Sequence, residues 1–299
     1  MKYRVCHKTA YQYALPVSHC YNLAYLLPRK TERQSVNTLS FDCKPSTNLV
    51  EHLDYFGNRF LQFSIEKDHT ELQLQVTSEV NIKEQFNNIN LDFGTPCSYA
   101  KYLLRQNRDW KSLSAREYAL DSPMVQHHAD FVDYAKESFA DDRPFLSSVM
   151  ELTQRIFSEF KYDSSFSDVA TPVGEVLKHK RGVCQDFAHL AIACLRSLGF
   201  PAAYVSGYLE TLPPPGQVKM VGADASHAWF AVYSPGEGWY EFDPTNNQMI
   251  NERYITTAWG RDYTDVTPLK GVIFGGGHSP ILSVSVDVSR IEEDIIQGL

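Results

Sequence analysis

Three residues of this 299-residue chain have the types and the order that thiol-based acyl transfer needs: Cys184, His227 and Asp243. Cys184 sits in Arg181-Gly182-Val183-Cys184-Gln185-Asp186-Phe187-Ala188-His189-Leu190, where a glycine stops one element and an apolar helix begins. Phe187, Leu190, Ala191, Cys194, Leu195 and Leu198 recur at helical spacing, and Gly199 with Pro201 ends the run. Cys184 therefore falls in the first turn. Unpaired backbone N–H groups and the positive end of the helix dipole favour a thiolate there. A neutral thiol is a poor nucleophile, so the chemistry also needs a nearby base. Asp186, in the same turn, reads as a helix-capping or loop-holding residue. Cys194 lies on the apolar face amid Leu190, Ala191 and Leu198 and reads as a buried, inert thiol.

The base and its partner follow from a hairpin. Ala228 to Tyr233 reads as a strand, Ser234-Pro235-Gly236-Glu237-Gly238 as a turn, and Trp239 to Asp243 as the returning strand. If Tyr233 pairs with Trp239, then Trp229 lies opposite Asp243. His227 then projects from the same sheet face as Asp243, one diagonal step away. A carboxylate in that place accepts the imidazole N–H, fixes the tautomer and stabilises the imidazolium. A slip of one residue in register would put the two on opposite faces. Trp229 shares the His227 face and is a candidate for the cleft lining.

The segments Gly182 to His189, His227-Ala228-Trp229 and Asp243-Pro244-Thr245 resemble the bacterial branch of the transglutaminase-like superfamily. The resemblance continues upstream through Thr171-Pro172-Val173-Gly174-Glu175-Val176-Leu177. Downstream it includes Trp259 to Val266 and Pro268. His7-Lys8-Thr9-Ala10-Tyr11 and Leu27-Pro28-Arg29 resemble the accessory β domain of that branch. What the resemblance implies is a Cys–His–Asp triad on a papain-like fold, with Cys184 as nucleophile, His227 as base and Asp243 as orienter. The wider superfamily includes cross-linking acyltransferases, peptidases, deglycosylating amidases and inactive relatives, so the reaction stays open.

The expected chemistry is attack of the Cys184 thiolate on an amide or other acyl carbonyl of a protein or peptide substrate. A thioester forms and is resolved by water or by an amine. Hydrolysis is favoured, because nothing visible in the sequence excludes water. The alternative is a non-catalytic protein- or peptide-binding module that keeps the same fold. A developing oxyanion needs preorganised donors. The Cys184 backbone N–H is the first, and Gln185 and Tyr162 are candidates for the second. The mechanism calls for no metal ion and no organic cofactor, and no EF-hand-like spacing is present. His127-His128 reads as part of a solvated helix. Gly275-Gly276-Gly277-His278 lacks the lysine of a phosphate loop and reads as a flexible approach to the last strand. Pro213-Pro214-Pro215-Gly216 reads either as a stiff loop or as a lip over the cleft, since the same loop delivers His227.

Composition bounds the rest. A formal net charge of −8 argues against nucleic acid as a partner, because phosphate binding needs a basic face. No apolar run approaches membrane-spanning length, so no membrane is expected as partner. Met1 to Thr9 lacks the apolar core of a signal peptide. The six cysteines have no disulfide-like or CxxC spacing. A reducing cytoplasm is the expected location, and the oligomeric state is not legible.

The expected fold class is α+β. Residues 1–85 should form an antiparallel β-sandwich as an accessory domain. Glu71 to Val80 alternates strictly, and Phe56-Gly57-Asn58-Arg59 is a hairpin-type turn. Residues 86–140 should form a helical connection, with one helix starting at Ser122-Pro123 and carrying Ala129, Val132 and Ala135. Residues 141–265 should form the papain-like, transglutaminase-like core. It opens on a helix with Leu146, Val149, Met150, Leu152, Ile156 and Phe157 inward, and continues with the Cys184 helix packed on an antiparallel sheet. Residues 266–299, with the alternating strand Ile281 to Val288, are expected to pack on that core.

Overall fold

The computed structural model describes residues 1–83, 89–211 and 226–291. The Pro213–Gly216 segment lies outside the described residues. Strand β1 (Lys2–Ala24) organises the first part of the chain. It is followed by β2 (Gln34–Lys44), β3 (Val50–Leu53), β4 (Arg59–Ile65) and β5 (His69–Ile82). Residues 2–12 of β1 pair with β5, a register shift follows Gln12, and residues 20–24 pair with β4. The resulting order is β2-β5-β1-β4-β3, all antiparallel. The expected β domain is thus one curled sheet whose two halves share β1. The alternating strands turn Val17, Cys20, Leu61, Phe63, Leu72, Leu74 and Val76 into a common core.

The connecting region is more helical than its composition suggests. It holds α1 (Cys97–Gln106) and α2 (Trp110–Arg116), the latter capped by the Asp109 carboxylate, which accepts the Ser112 N–H at 3.0 Å. The expected helix at Ser122-Pro123 begins later, as α3 (Ala129–Ala135), with His128 rather than Ser122 as its cap. The reason is tertiary. Asp262 draws the Met124 N–H at 2.8 Å, and Ser122 and Val125 close a turn instead.

The long helix α4 (Phe145–Glu159) buries Leu146, Val149, Leu152 and Ile156, as its period demands. Phe157 falls on the outer side and is 49 % exposed. After β6 (Lys161–Tyr162), α5 (Val173–His179) and β7 (Arg181–Gly182) comes α6 (Cys184–Ser197). Residues 186–196 of this helix are all buried. The helix packs on β9 on one side and on α3, α4 and α5 on the other. The five-stranded antiparallel sheet beneath it runs β11-β10-β9-β8-β12. Its strands are β8 (Ala202–Leu209), β9 (Ser226–Ser234), β10 (Gly238–Asp243), β11 (Gln248–Met249) and β12 (Tyr254–Gly260).

The C-terminal segment takes its backbone partner from the first sheet. Strands β13 (Leu269–Gly275) and β14 (Ile281–Arg290) do not extend the core sheet; they return to the first sheet and pair with β1. Their linking glycines, Gly275, Gly276 and Gly277, all have positive φ, which permits the tight reversal. The physical reason is that β1 has an open edge over its whole length, and these strands satisfy its backbone groups. The two parts of the molecule meet through Tyr3, Val5, Val80, Ile82, Val286 and Val288 of the β domain against Tyr208 and Ile255 of the core. Among the described residues, no helix is long and apolar enough to cross a membrane.

Gly207 fixes the spacing of β8 against its neighbours. A Cβ there would lie 2.1 Å from the Ile255 carbonyl oxygen and 2.5 Å from the Trp229 ring. Gly207→Ala should therefore destabilise the protein by about 3 kcal/mol through overpacking. Equilibrium urea unfolding measures this, and a loss below about 0.5 kcal/mol would show that the sheet yields freely.

Candidate active site

The chain enters α6 through Val183 in an extended conformation, so Cys184 is the first helical residue. Its side chain is half-buried. Asp186 holds this corner: its Oδ2 accepts the Val183 N–H at 2.8 Å and the Ser167 hydroxyl at 2.5 Å. A Cβ on Gly182 would lie 2.7 Å from the same oxygen, so the close approach depends on glycine. Asp186 is thus a loop-holding residue, tying the loop after β6 to the helix start. Burial pushes its carboxyl above the ordinary value.

The hairpin register is the one the turn residues suggest. Trp239 pairs with Tyr233, and Phe242 with Phe230. His227 and Asp243 therefore share a face, and the imidazole Nε2 lies 2.7 Å from Asp243 Oδ2. The same oxygen accepts the Tyr254 hydroxyl at 2.6 Å and the Asn246 Nδ2–H at 2.6 Å. Oδ1 accepts the backbone N–H groups of Thr245 at 2.8 Å and Asn246 at 3.3 Å. Burial works against this carboxylate, but its donors outweigh burial and hold its pKa below the ordinary value.

Burial likewise opposes a charged His227. Its hydrogen bonds to Asp243 and then to Cys184 prevail and raise its pKa to about 10. With Nε2 committed to Asp243, Nδ1 is the nitrogen left for the thiol. The arrangement stabilises an imidazolium at neutral pH, the protonated partner that a thiolate requires.

A cleft of about 440 Å³ opens in front of Cys184 and His227. The core contributes Gln185, Tyr204, Ser226 and Tyr263, and the β domain contributes His7, Thr9, Tyr11, Leu282, Val284 and Val286. Gln185 lies in the lining, with its Nε2 donating to the Val169 carbonyl at 3.2 Å. Tyr162 is 55 % exposed and stands beside the helix start, its ring edge-on to Phe187, but outside the cleft lining. Trp229 is a correction. It is fully buried, and its Nε1–H donates to Glu241 Oε2 at 2.6 Å. The face it shares with His227 is covered at that depth by Tyr254, Ala231 and Ile250, so it supports the histidine from behind.

Asn246 and Tyr254 went unnoticed in the sequence. Asn246 had a signal, since Asp243-Pro244 starts a turn and the residue three after an Asp commonly folds back on its carboxylate. Tyr254 had none, because it arrives from β12. His189 is buried; burial lowers its pKa to about 4, and its neutral Nε2 accepts the Tyr263 N–H at 3.1 Å. It holds the Tyr263 wall in place.

The transglutaminase-like superfamily profile matches residues 132–244, and the bacterial transglutaminase-like N-terminal region matches residues 3–81. An uncharacterized protein of Mycobacterium tuberculosis is 36 % identical over 311 residues, spanning 99 % of this chain and 95 % of that protein. The chain belongs to the transglutaminase-like superfamily. A crystal structure of a candidate cysteine protease from Cytophaga hutchinsonii shares the superfamily fold, with a TM-score of 0.77 and 23 % identity, over 98 % of this chain and 92 % of that one. A shorter stretch of 75 residues is 36 % identical to the protein-glutamine gamma-glutamyltransferase of Pseudomonas aeruginosa, covering 25 % of this chain and 11 % of that protein.

The electrostatics give a sign that can be checked. The folded-state pKa of His227 lies above its ordinary 6.5, at about 10. Its contribution to stability is therefore complete below about pH 6.5 and lost as pH rises through about 10. Asp243→Asn should lower the His227 midpoint, read by NMR of the imidazole C–H protons. It should also destabilise the fold more at pH 6 than at pH 10.5, conditions chosen to bracket that window. An unchanged midpoint would mean that Asp243 does not hold the charge.

Proposed function

We propose that this protein is a cysteine-dependent hydrolase of amide or peptide bonds, with Cys184 as nucleophile, His227 as acid–base and Asp243 as orienter. The observation that carries the reading is the line from Cys184, which shares one cleft with His227, through the imidazole to an Asp243 carboxylate that five donors keep ionised. A protein that only bound peptides would have no use for this line. Attack of the thiolate on the carbonyl carbon gives a tetrahedral intermediate. The Cys184 backbone N–H, in the first turn of α6, is the first donor for the developing oxyanion. Gln185 is the better placed second donor of the two candidates, because it lies in the cleft lining and Tyr162 does not. The imidazolium protonates the leaving amine, and a thioester remains. Water then attacks, with His227 taking its proton, and the acid product leaves the thiol free.

Water is favoured over an amine as the second nucleophile. Leu282 and Val284 at the cleft mouth are 52 % and 49 % exposed, so solvent reaches the thioester. Acyl transfer to an amine is the second reading, and the local likeness to a gamma-glutamyltransferase favours it. The six cysteines are all free thiols, which suits a reducing compartment such as the cytoplasm.

Two experiments test the reading. Alkylation by iodoacetamide, mapped by mass spectrometry, should modify Cys184 far faster than Cys194. The latter is fully buried in the core, and burial pushes its thiol well above the ordinary value. Equal rates would leave Cys184 an ordinary thiol. In the second, kcat/KM is measured on any peptide amide that the wild type cleaves. Cys184→Ala and His227→Ala should each lose on the order of 10^4-fold or more, and Asp243→Asn less. Cys194→Ala should cost about 1 kcal/mol or more of stability and keep its specific activity. Wild-type turnover by Cys184→Ala would end the thiol mechanism.

A further inference from the structure

The β domain reaches the cleft through one ladder. Residues His7, Thr9 and Tyr11 of β1 pair with Val286, Val284 and Leu282 of β14, and all six line the space in front of Cys184. Alternation along both strands puts these side chains on a single face. The ladder is graded. At its inner end His7 and Val286 are each 1 % exposed, and His7 is tied to Tyr208 and Thr9 at 3.0 and 2.9 Å. At its outer end Leu282 and Val284 stand open beside the thiol cleft.

The cleft is also poor in charge. Its lining contains no Asp, Glu, Lys or Arg among the described residues. Burial lowers the pKa of His7 to about 4, so that ring is neutral. The charge of His227 is matched by Asp243 at 2.7 Å. A charged side chain entering here would shed water and meet no counter-ion among the described lining residues. An apolar one would cover Leu282 and Val284 and gain by doing so.

We propose that the β domain is the specificity element of the cleft: the β1–β14 ladder, through Leu282 and Val284, selects a large apolar side chain beside the carbonyl that Cys184 attacks. The occupant is a segment of a peptide or protein substrate, since the apolar strip is continuous with the nucleophile's own cleft. This rests on the reading of Cys184 as nucleophile. It assigns a role to the accessory domain that the chemistry of the core alone does not require.

The full chain is treated with a series of peptidyl chloromethyl ketones that differ only in the side chain next to the ketone: Leu, Phe, Asp or Lys. The rate constant for Cys184 alkylation is measured for each. Leu and Phe reagents should react roughly tenfold or more faster than Asp and Lys reagents. In Leu282→Lys and Val284→Lys, whose side chains are half exposed and tolerant of change, the Leu-to-Asp ratio should fall about tenfold, because a counter-ion now awaits the acid. The ratio is internal to each variant, so a general change in thiol reactivity divides out. A second arm avoids chemistry altogether: fluorescence anisotropy of labelled tetrapeptides carrying the same four side chains, with the Cys184→Ala protein. Apolar preference here, in a protein whose wild type turns over no amide, would support the wall and overturn the hydrolase. Turnover with no side-chain preference in either arm, or a ratio untouched by both lysine variants, would overturn the wall and leave the hydrolase standing. Binding of no peptide in the second arm, with equal alkylation rates in the first, also overturns it.

Discussion

The Asp243 carboxylate is the anchor on which the site depends. It is fully buried, and a buried carboxylate is costly unless donors surround it. Here the donors come from β9, β12 and the turn after β10. Each arrives from a different stretch of chain, so the carboxylate tests whether the sheet is assembled in register. A β9–β10 pairing shifted by one residue would remove His227 from this face and leave the charge without its principal partner. The placing of His227 and the integrity of the sheet therefore depend on the same carboxylate.

Around that anchor the structure divides its labour. The core sheet fixes the imidazole, α6 brings the thiol to it, and Asp186 pins the corner from which the thiol projects. Supports stand behind both groups: Trp229 under His227, and His189 holding the Tyr263 wall beside Cys184. Both residues are buried, so they act on the cleft only through the groups they hold in place.

Local signals carried most of the site. The glycine, cysteine and apolar period around Cys184 specified the helix and its first turn. The Pro-Gly turn between β9 and β10 specified the register that puts His227 beside Asp243. What escaped were features set by distant chain. Tyr254 reaches Asp243 from another strand, and no spacing announces it. Trp229 shares a face with His227, but periodicity cannot distinguish a mouth from a floor, and the depth was decided by Tyr254, Ala231 and Ile250. The first turn of α3 yielded to a hydrogen bond from Met124 to Asp262, more than a hundred residues away. The alternation of Ile281 to Val288 marked a strand without naming its partner, which proved to be the first strand of the chain.

That last pairing bears on how the protein is made. Tyr3 lies opposite Arg290, so one side of β1 waits for almost the entire sequence to leave the ribosome. Contacts so distant in sequence form slowly, and an unpaired strand edge is exposed meanwhile. The core that holds Cys184 and His227 is complete before β14 emerges. A nascent chain therefore holds Cys184 and His227 before it holds the strand that faces them. Ribosomal stalling or proteolytic clipping within β13 or β14 would release a species with an open edge along β1 and a cleft stripped of the side that Leu282, Val284 and Val286 supply.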